Sequence, residues 1–282
     1  MPSWFAVTTP GLEPVVAREL DSMGISGEVV VGGVQFEAAL LEGARLSATL
    51  RSPSRILLRV AEGTARSLRG LADLIRSVDW SGMLMAGAEV DVVVSTRASR
   101  LSRRDAIANK ARNALRDATR GYQRRRHPRI HQRLQIRIDQ DRVTLSLDAG
   151  GDLLHRRGWR RSAVKAPLRE NLAAAILLTA GWTGDEALLD PFCGSGTLPI
   201  EAALLASKRP SWAGRSFAWE EWPALEGARP HKGRGEPITV PIIGSDREVR
   251  AIGCAKENAG RARVNLTWQV SDVSAVKAPD VI

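Results

Sequence analysis

Polar and apolar residues alternate with two periods in the first half of the chain, and the two periods trade places repeatedly. Short apolar runs at Trp4–Thr8, Glu28–Phe36 and Ile56–Ala61 predict strands. Helical spacing over Leu12–Met23, after the Pro10-Gly11 turn, and over Leu40–Arg51 predicts helices between them, a small α+β unit. A second unit follows: a helix over Leu68–Asp79, a strand over Glu89–Ser95 and a helix over Ser102–Thr119, with Ser102 as its expected N-cap and Asp105 at the third helical position. Leu134, Ile136 and Ile138 then alternate with polar residues, as do Val143, Leu145 and Leu147 beyond Asp139-Gln140-Asp141, which predicts a hairpin with one buried face.

From Gly150 to Ala166 the chain is polar and rich in arginine, the natural joint between two halves. A helix over Pro167–Ala180 opens a different pattern: strand (Ala187–Asp190), glycine turn, helix (Leu198–Lys208), a Trp/Pro/Gly-rich insertion (Pro210–Pro237), strand (Ile238–Asp246), helix (Arg250–Arg261) and strand (Leu266–Asp272). Strands alternating with helices predict a parallel, doubly wound α/β sheet.

Charge changes the picture more than composition does. Hydrophobic residues at 44% and charged ones at 26% are ordinary for a folded chain, but 41 Lys and Arg oppose 31 Asp and Glu, leaving +10. The excess is local. Arg97, Arg100, Arg103, Arg104, Lys110, Arg112, Arg116, Arg120, Arg124, Arg125, Arg126, Arg129, Arg133 and Arg137 face only Asp105 and Asp117 in the same stretch. Arginine suits phosphate because its planar fork donates paired hydrogen bonds, so this stretch reads as a nucleic-acid grip, with a solvated basic helix as the plain alternative. Only Tyr122 and His127 interleave it, which favours backbone and shape recognition over base stacking. A second basic knot, His155, Arg156, Arg157, Arg160 and Arg161 around Trp159, extends the same expectation to the joint. Cys193 and Cys254 form no ligand or disulfide pattern, so no metal is expected and a reducing cytoplasm fits. The start lacks a basic segment followed by an apolar one, and Leu172–Trp182 is too short to cross a bilayer, so neither export nor anchoring is expected.

Candidate chemistry lies at Asp190-Pro191-Phe192-Cys193-Gly194-Ser195-Gly196-Thr197, an apolar strand running into a tight glycine turn and at once into a helix that Thr197 is placed to cap. Glycine admits a ligand close to the backbone, and the free N–H groups of the helix face the same crevice. Pro199 stands where a dinucleotide fingerprint has its third glycine, which disfavours a nicotinamide oxidoreductase, and no Lys-Ser/Thr pair follows, which excludes a phosphate-cradling NTPase loop. Asp246 ends the next strand and Asp272 the one after. Carboxylates at the ends of successive parallel strands share one sheet edge, where one can accept ribose hydroxyls and the other an adenine amine.

Residues Asp190–Thr197 resemble motif I of amino-directed class I methyltransferases. Leu147–Gly151, Leu154–Arg160, Ala166–Ala175, Gly244-Ser245-Asp246, Glu257-Asn258-Ala259 and Phe217–Pro223 resemble the THUMP-domain RNA methyltransferases that make N2-methylguanosine in ribosomal or transfer RNA. The resemblance implies a ferredoxin-like domain at 1–65, a THUMP RNA-binding domain at 66–155 and a Rossmann-like class I methyltransferase domain at 156–282. It implies S-adenosylmethionine as cofactor, with Asp190, Phe192, Gly194, Ser195, Gly196, Thr197, Asp246 and Asp272 around it and no metal. RNA is the implied partner, taken by Arg97, Arg100, Arg103, Arg104, Lys110, Arg124, Arg125, Arg126, Arg156 and Arg157. The family's catalytic motif, Asn or Asp before Pro-Pro and an aromatic, belongs beyond the next strand, after Ile282, so no residue here takes that role and the sequence reads as a C-terminally truncated or split member. An RNA-binding module without methyl transfer is the rival expectation.

Overall fold

In a computed structural model of the chain, the described residues are 1–122, 130–161, 166–212, 214–233 and 235–276. The front half builds one seven-stranded sheet from β1 (Ser3–Val7), β2 (Gly27–Val30), β3 (Gly33–Glu37), β4 (Arg55–Thr64), β5 (Val90–Arg97), β6 (Gln132–Asp139) and β7 (Arg142–Asp148), in the order β2-β3-β1-β4-β7-β6-β5. Every neighbouring pair is antiparallel except β5–β6. The ten-residue β4 pairs with β1 along its first half and with β7 along its length, so the two α+β units share one continuous sheet. Helices α1 (Glu13–Asp21), α2 (Leu40–Thr49), α3 (Leu68–Arg76) and α4 (Arg104–Ala118) supply Val16, Leu20, Leu46, Leu71, Ile75, Ile107 and Leu115 to the core. The sheet contributes Trp4, Ile56, Leu58, Leu134 and Leu145 to the same core.

The predicted hairpin is β6–β7, with Leu134, Ile136, Ile138, Val143, Leu145 and Leu147 all buried. Two expectations need correction. Glu28–Phe36 is not one strand: the chain reverses at Val31-Gly32, where Gly32 has φ +88°, and β2 pairs back onto β3. Ser102 does not cap α4, which starts at Arg104 with Arg103 in the N-cap position and no side-chain cap.

The rear half carries a three-stranded parallel sheet, ordered β10-β9-β8, from β8 (Leu188–Asp190), β9 (Ile242–Asp246) and β10 (Thr267–Val270). Helices α5 (Glu170–Thr179), α6 (Thr197–Ala206) and α7 (Val249–Ala262) accompany it, and Leu177, Ile200, Leu204, Ile242, Ala259 and Trp159 form its core. No helix among the described residues is long and apolar enough to cross a membrane.

Two devices join the halves. The aromatic insertion leaves the rear half and enters the front core: Trp222 stacks on Trp4 at 6.3 Å, its indole N–H donates to Gln132 Oε1 at 3.0 Å, and the Trp219 indole donates to Ser47 Oγ at 3.1 Å. Trp4, Trp219 and Trp222 are each 0% exposed. Beside this lies a buried ionic cluster. Arg157 donates to the Arg51 and Leu154 carbonyls and, at 3.4 Å, to Glu201 on α6; Arg51 donates to the Leu204 and Arg209 carbonyls. Glu19 on α1 accepts the Arg51 and Ser52 backbone N–H groups, and Asn171 on α5 donates to the Ser52 carbonyl.

Candidate functional site

β8 ends at Asp190, and the chain bends through Gly194 (φ +52°) and Gly196 (φ +83°) into α6. Backbone bonds fix the bend: Cys193 N–H donates to the Ser245 carbonyl at 2.9 Å and Gly196 N–H to the Cys193 carbonyl at 2.8 Å. Asp190 accepts from Phe192 N–H at 3.0 Å, and Asp246 accepts from Gly194 N–H at 3.0 Å with one oxygen and from Glu248 N–H at 3.0 Å with the other. A carboxylate has about four lone-pair sites, so Asp246 keeps acceptor capacity after tying the turn to β9.

Strand register sets the rest. Asp190 lies opposite Gly244, and Asp246 opposite Val270, so Asp190, Asp246 and Asp272 all stand at the C-terminal ends of neighbouring parallel strands, on one sheet edge. Asp272 is exposed and accepts from Ser274 N–H at 3.0 Å and its hydroxyl at 2.8 Å, which holds its carboxyl below the usual range. Burial pushes Asp190 up, and the nearby Asp246 adds to that. Cys193 is pushed up to about 12 by burial and both carboxylates, so its thiol is no nucleophile.

The second glycine has a packing reason. A Cβ at Gly196 would lie 2.7 Å from the Trp268 ring and 2.9 Å from Ala255, and one at Gly244 would lie 2.4 Å from the same ring. Gly196→Ala therefore combines a left-handed backbone, costing about 1–2 kcal/mol, with a collision under the turn. We expect a lower urea midpoint with an unchanged slope; an unaltered midpoint would refute this packing.

Thr197 does not cap α6 as expected. Gly196 holds the N-cap position, and the Thr197 hydroxyl instead accepts from Arg160 at 2.7 Å. Arg160 also donates to Glu170 at 3.0 Å and to the Leu168 carbonyl at 2.7 Å, tying the turn to α5. Phe192 is 73% exposed beside the bend. Sequence reasoning gave no role to Asn258, a buried α7 residue whose amide donates to the Ser195 carbonyl at 3.1 Å and so clamps the turn from below. Its only sequence signal was the Glu257-Asn258-Ala259 match.

The expected RNA contacts divide. Arg97, Arg100, Arg103 and Arg104 are exposed and gather where β5 ends and α4 begins; Arg97 pairs with Asp139 at 2.8 Å, and Lys110 is half-buried on α4. Arg156 is exposed at the joint and pairs with Asp152 at 3.3 Å. Arg124, Arg125 and Arg126 lie outside the described residues. Arg157 is a correction: at 1% exposure, with its guanidinium committed to Glu201 and two carbonyls, it holds the halves together and cannot meet a phosphate. Among the described residues no group of three or more potential metal ligands occurs.

Residues 3–57 match the RlmL ferredoxin-like domain, and residues 157–280 the RMKL-like methyltransferase domain. The chain is 38% identical over 279 residues to the ribosomal RNA large subunit methyltransferase K/L of Syntrophotalea carbinolica, covering 91% of this chain and 39% of that protein. It is 33% identical to its counterpart in Photobacterium profundum, covering 99% of this chain and 42% of that one. The chain thus spans about two fifths of the length of these curated relatives. Among solved structures, a predicted N6-adenine-specific DNA methylase from Listeria monocytogenes superposes with a TM-score of 0.86 at 28% identity, covering 99% of this chain and 77% of that one. A putative methyltransferase complexed with SAH gives 0.85 at 27%, covering 98% and 77%. The front of the chain is thus similar to an RlmL ferredoxin-like domain and its rear to an RMKL-like methyltransferase domain, on a fold shared with solved class I methyltransferases.

Proposed function

We propose that this chain binds S-adenosylmethionine in the crevice beside Gly194–Thr197 and takes part in methyl transfer to RNA, at guanine N2 of a ribosomal or transfer RNA. The observation that carries the reading is the row of carboxylates, Asp190, Asp246 and Asp272, past three neighbouring parallel strands and beside a positive-φ bend. The residues fit the cofactor. Asp246 keeps acceptor sites for ribose hydroxyls, Asp272 stands exposed for an adenine amine, and Asp190, Phe192 and the backbone of Gly194, Ser195, Gly196 and Thr197 line the methionine side. Bound there, the cofactor supplies a methyl group already activated by its sulfonium centre. The chain's own work is to bind and orient; no catalytic residue is assigned.

Exposed Arg97, Arg100, Arg103, Arg104 and Arg156, with Lys110, supply phosphate contacts, joined by Arg124, Arg125 and Arg126 in the same THUMP-like region. Two unpaired cysteines, Cys193 and Cys254, suit a reducing cytoplasm. Calorimetry with S-adenosylhomocysteine tests the reading. Micromolar binding by the chain, abolished in Asp246→Ala, supports it; RNA binding with no cofactor binding would instead support an RNA-binding module.

A further inference from the structure

Between the two halves opens a cavity of about 1090 Å³ that does not include the glycine turn. Five arginines reach its wall besides the buried Arg157: Arg133, Arg156, Arg160, Arg169 and Arg215. Three carboxylates answer them. Asp91 pairs with Arg133 at 2.9 Å, Asp152 with Arg156 at 3.3 Å, and Glu170 with Arg160 at 3.0 Å. Arg169 has no acidic partner among the described residues. Arg215 donates to the carbonyls of Gly150, Asp152, Leu153 and Arg156 at 2.8–3.1 Å and lies over the Phe217 ring at 5.0 Å; burial lowers it to about 10, with the carboxylates of Asp152 and Asp148 opposing the shift from beyond ion-pair distance.

Position adds to charge. Gln132 and Arg133, at the start of β6, line the cavity, whereas Arg97 to Arg104 sit past the other end of the parallel β5–β6 pair, roughly 23 Å away for seven residues of strand. At its far side Arg160 both lines the cavity and donates to Thr197 at the head of α6. The cavity wall thus touches the proposed cofactor turn through Arg160, although the turn itself does not line the cavity.

We propose that this cleft is a phosphate groove for single-stranded RNA, in which Arg156, Arg169 and Arg133 grip the backbone and lead the strand to the glycine turn. The inference rests on the methyltransferase reading for its direction only. Arginines in a recess attract a polyanion more strongly than arginines on an open face, because the recess screens them less.

His155 in the same wall reports on occupancy. It shares the wall with Arg156, Arg157 and Arg160 from its own segment and Arg169 just before α5, with Asp152 and Glu170, His131 just before β6, Asp91 and Arg133 from β5 and β6, and Arg215 from the insertion. Burial and the four nearest arginines lower it to about 4, which makes it neutral at pH 7. Phosphates among those arginines offset their charge, so the bound state holds the imidazole proton more tightly.

The test uses the whole chain and a short fluorescein-labelled single-stranded RNA. Arg156→Ala with Arg169→Ala, both exposed positions, is expected to weaken binding by about tenfold and to flatten the dependence of log affinity on log salt by about 1.4, two contacts at ~0.7 each. Affinity for S-adenosylhomocysteine is expected to stay at the wild-type value. In the wild-type chain, saturating RNA is expected to raise the His155 titration midpoint, read by NMR, by about one unit or more. An unchanged RNA affinity and salt slope in the double variant, or a His155 midpoint that RNA leaves in place, overturns the groove. Loss of binding confined to Arg103→Ala with Arg104→Ala would also overturn it and place the strand on the outer face. Failure of the wild-type chain to bind S-adenosylhomocysteine would sink the methyltransferase reading while leaving these results to decide the groove.

Discussion

Trp222→Ala is expected to destabilise the protein by about 3–5 kcal/mol, the range for deleting a fully buried large aromatic. The change removes the stack on Trp4, leaves a cavity where collapse is blocked by the sheet, and strips the Gln132 carbonyl oxygen of its indole donor. That oxygen is buried, since Gln132 is 3% exposed, and an orphaned buried acceptor adds about 1–3 kcal/mol of its own. Urea unfolding followed by far-ultraviolet circular dichroism reads the loss. Trp222→Phe keeps most of the stack but not the donor, so its cost falls between wild type and Ala. Equal stability of all three would mean that the insertion does not hold the front core.

Glu201→Ala is expected to be similarly damaging, at about 3–5 kcal/mol, through charge and not volume. Glu201 is 1% exposed and faces Arg157, itself 1% exposed, with the guanidinium of Arg51 close by. Burial pushes the Glu201 carboxyl up and the Arg51 guanidinium down, and the attraction between Glu201 and the two guanidinium groups opposes both shifts without cancelling them. Removing the acid leaves two buried cations facing one another. Arg157→Met should also be costly, yet Glu201→Met combined with Arg157→Met should cost less than the two singles added, because the Arg157–Glu201 pair is removed together and Arg51 keeps Glu19 nearby without facing a second buried cation. Additive losses in this double-mutant cycle would show that the pair is not coupled.

Much of the architecture was legible in short-range pattern. Period-two alternation on either side of Asp139-Gln140-Asp141 marked the β6–β7 hairpin, whose Gln140 and Asp141 adopt φ +50° and +65°. The strand–turn–helix at Asp190 and the positions of Asp246 and Asp272 past neighbouring strands were legible because each is local to a strand end. What stayed hidden depends on distant partners. Arg157 looks solvated among its basic neighbours, and its partner Glu201 lies forty-four residues on, in a helix that otherwise reads as apolar. The insertion reads as part of the rear half, and only its density of aromatic residues, Trp212, Phe217, Trp219 and Trp222, hinted that it needed a core to enter. The reversal between β2 and β3 did carry a local signal, the Gly32-Gly33 pair between two apolar runs, which reading Glu28–Phe36 as one strand passed over.

The route of Phe217, Trp219 and Trp222 into the front core bears on how such proteins can be recombined. A shuffling event at the arginine-rich joint would exchange residues 1–150 cleanly by sequence, yet it would strand three aromatics from one parent against a mismatched socket from the other. Inheritance of the front module should therefore travel with that internal segment, and a chimera that transplants both together should fold where one that cuts only at the joint does not.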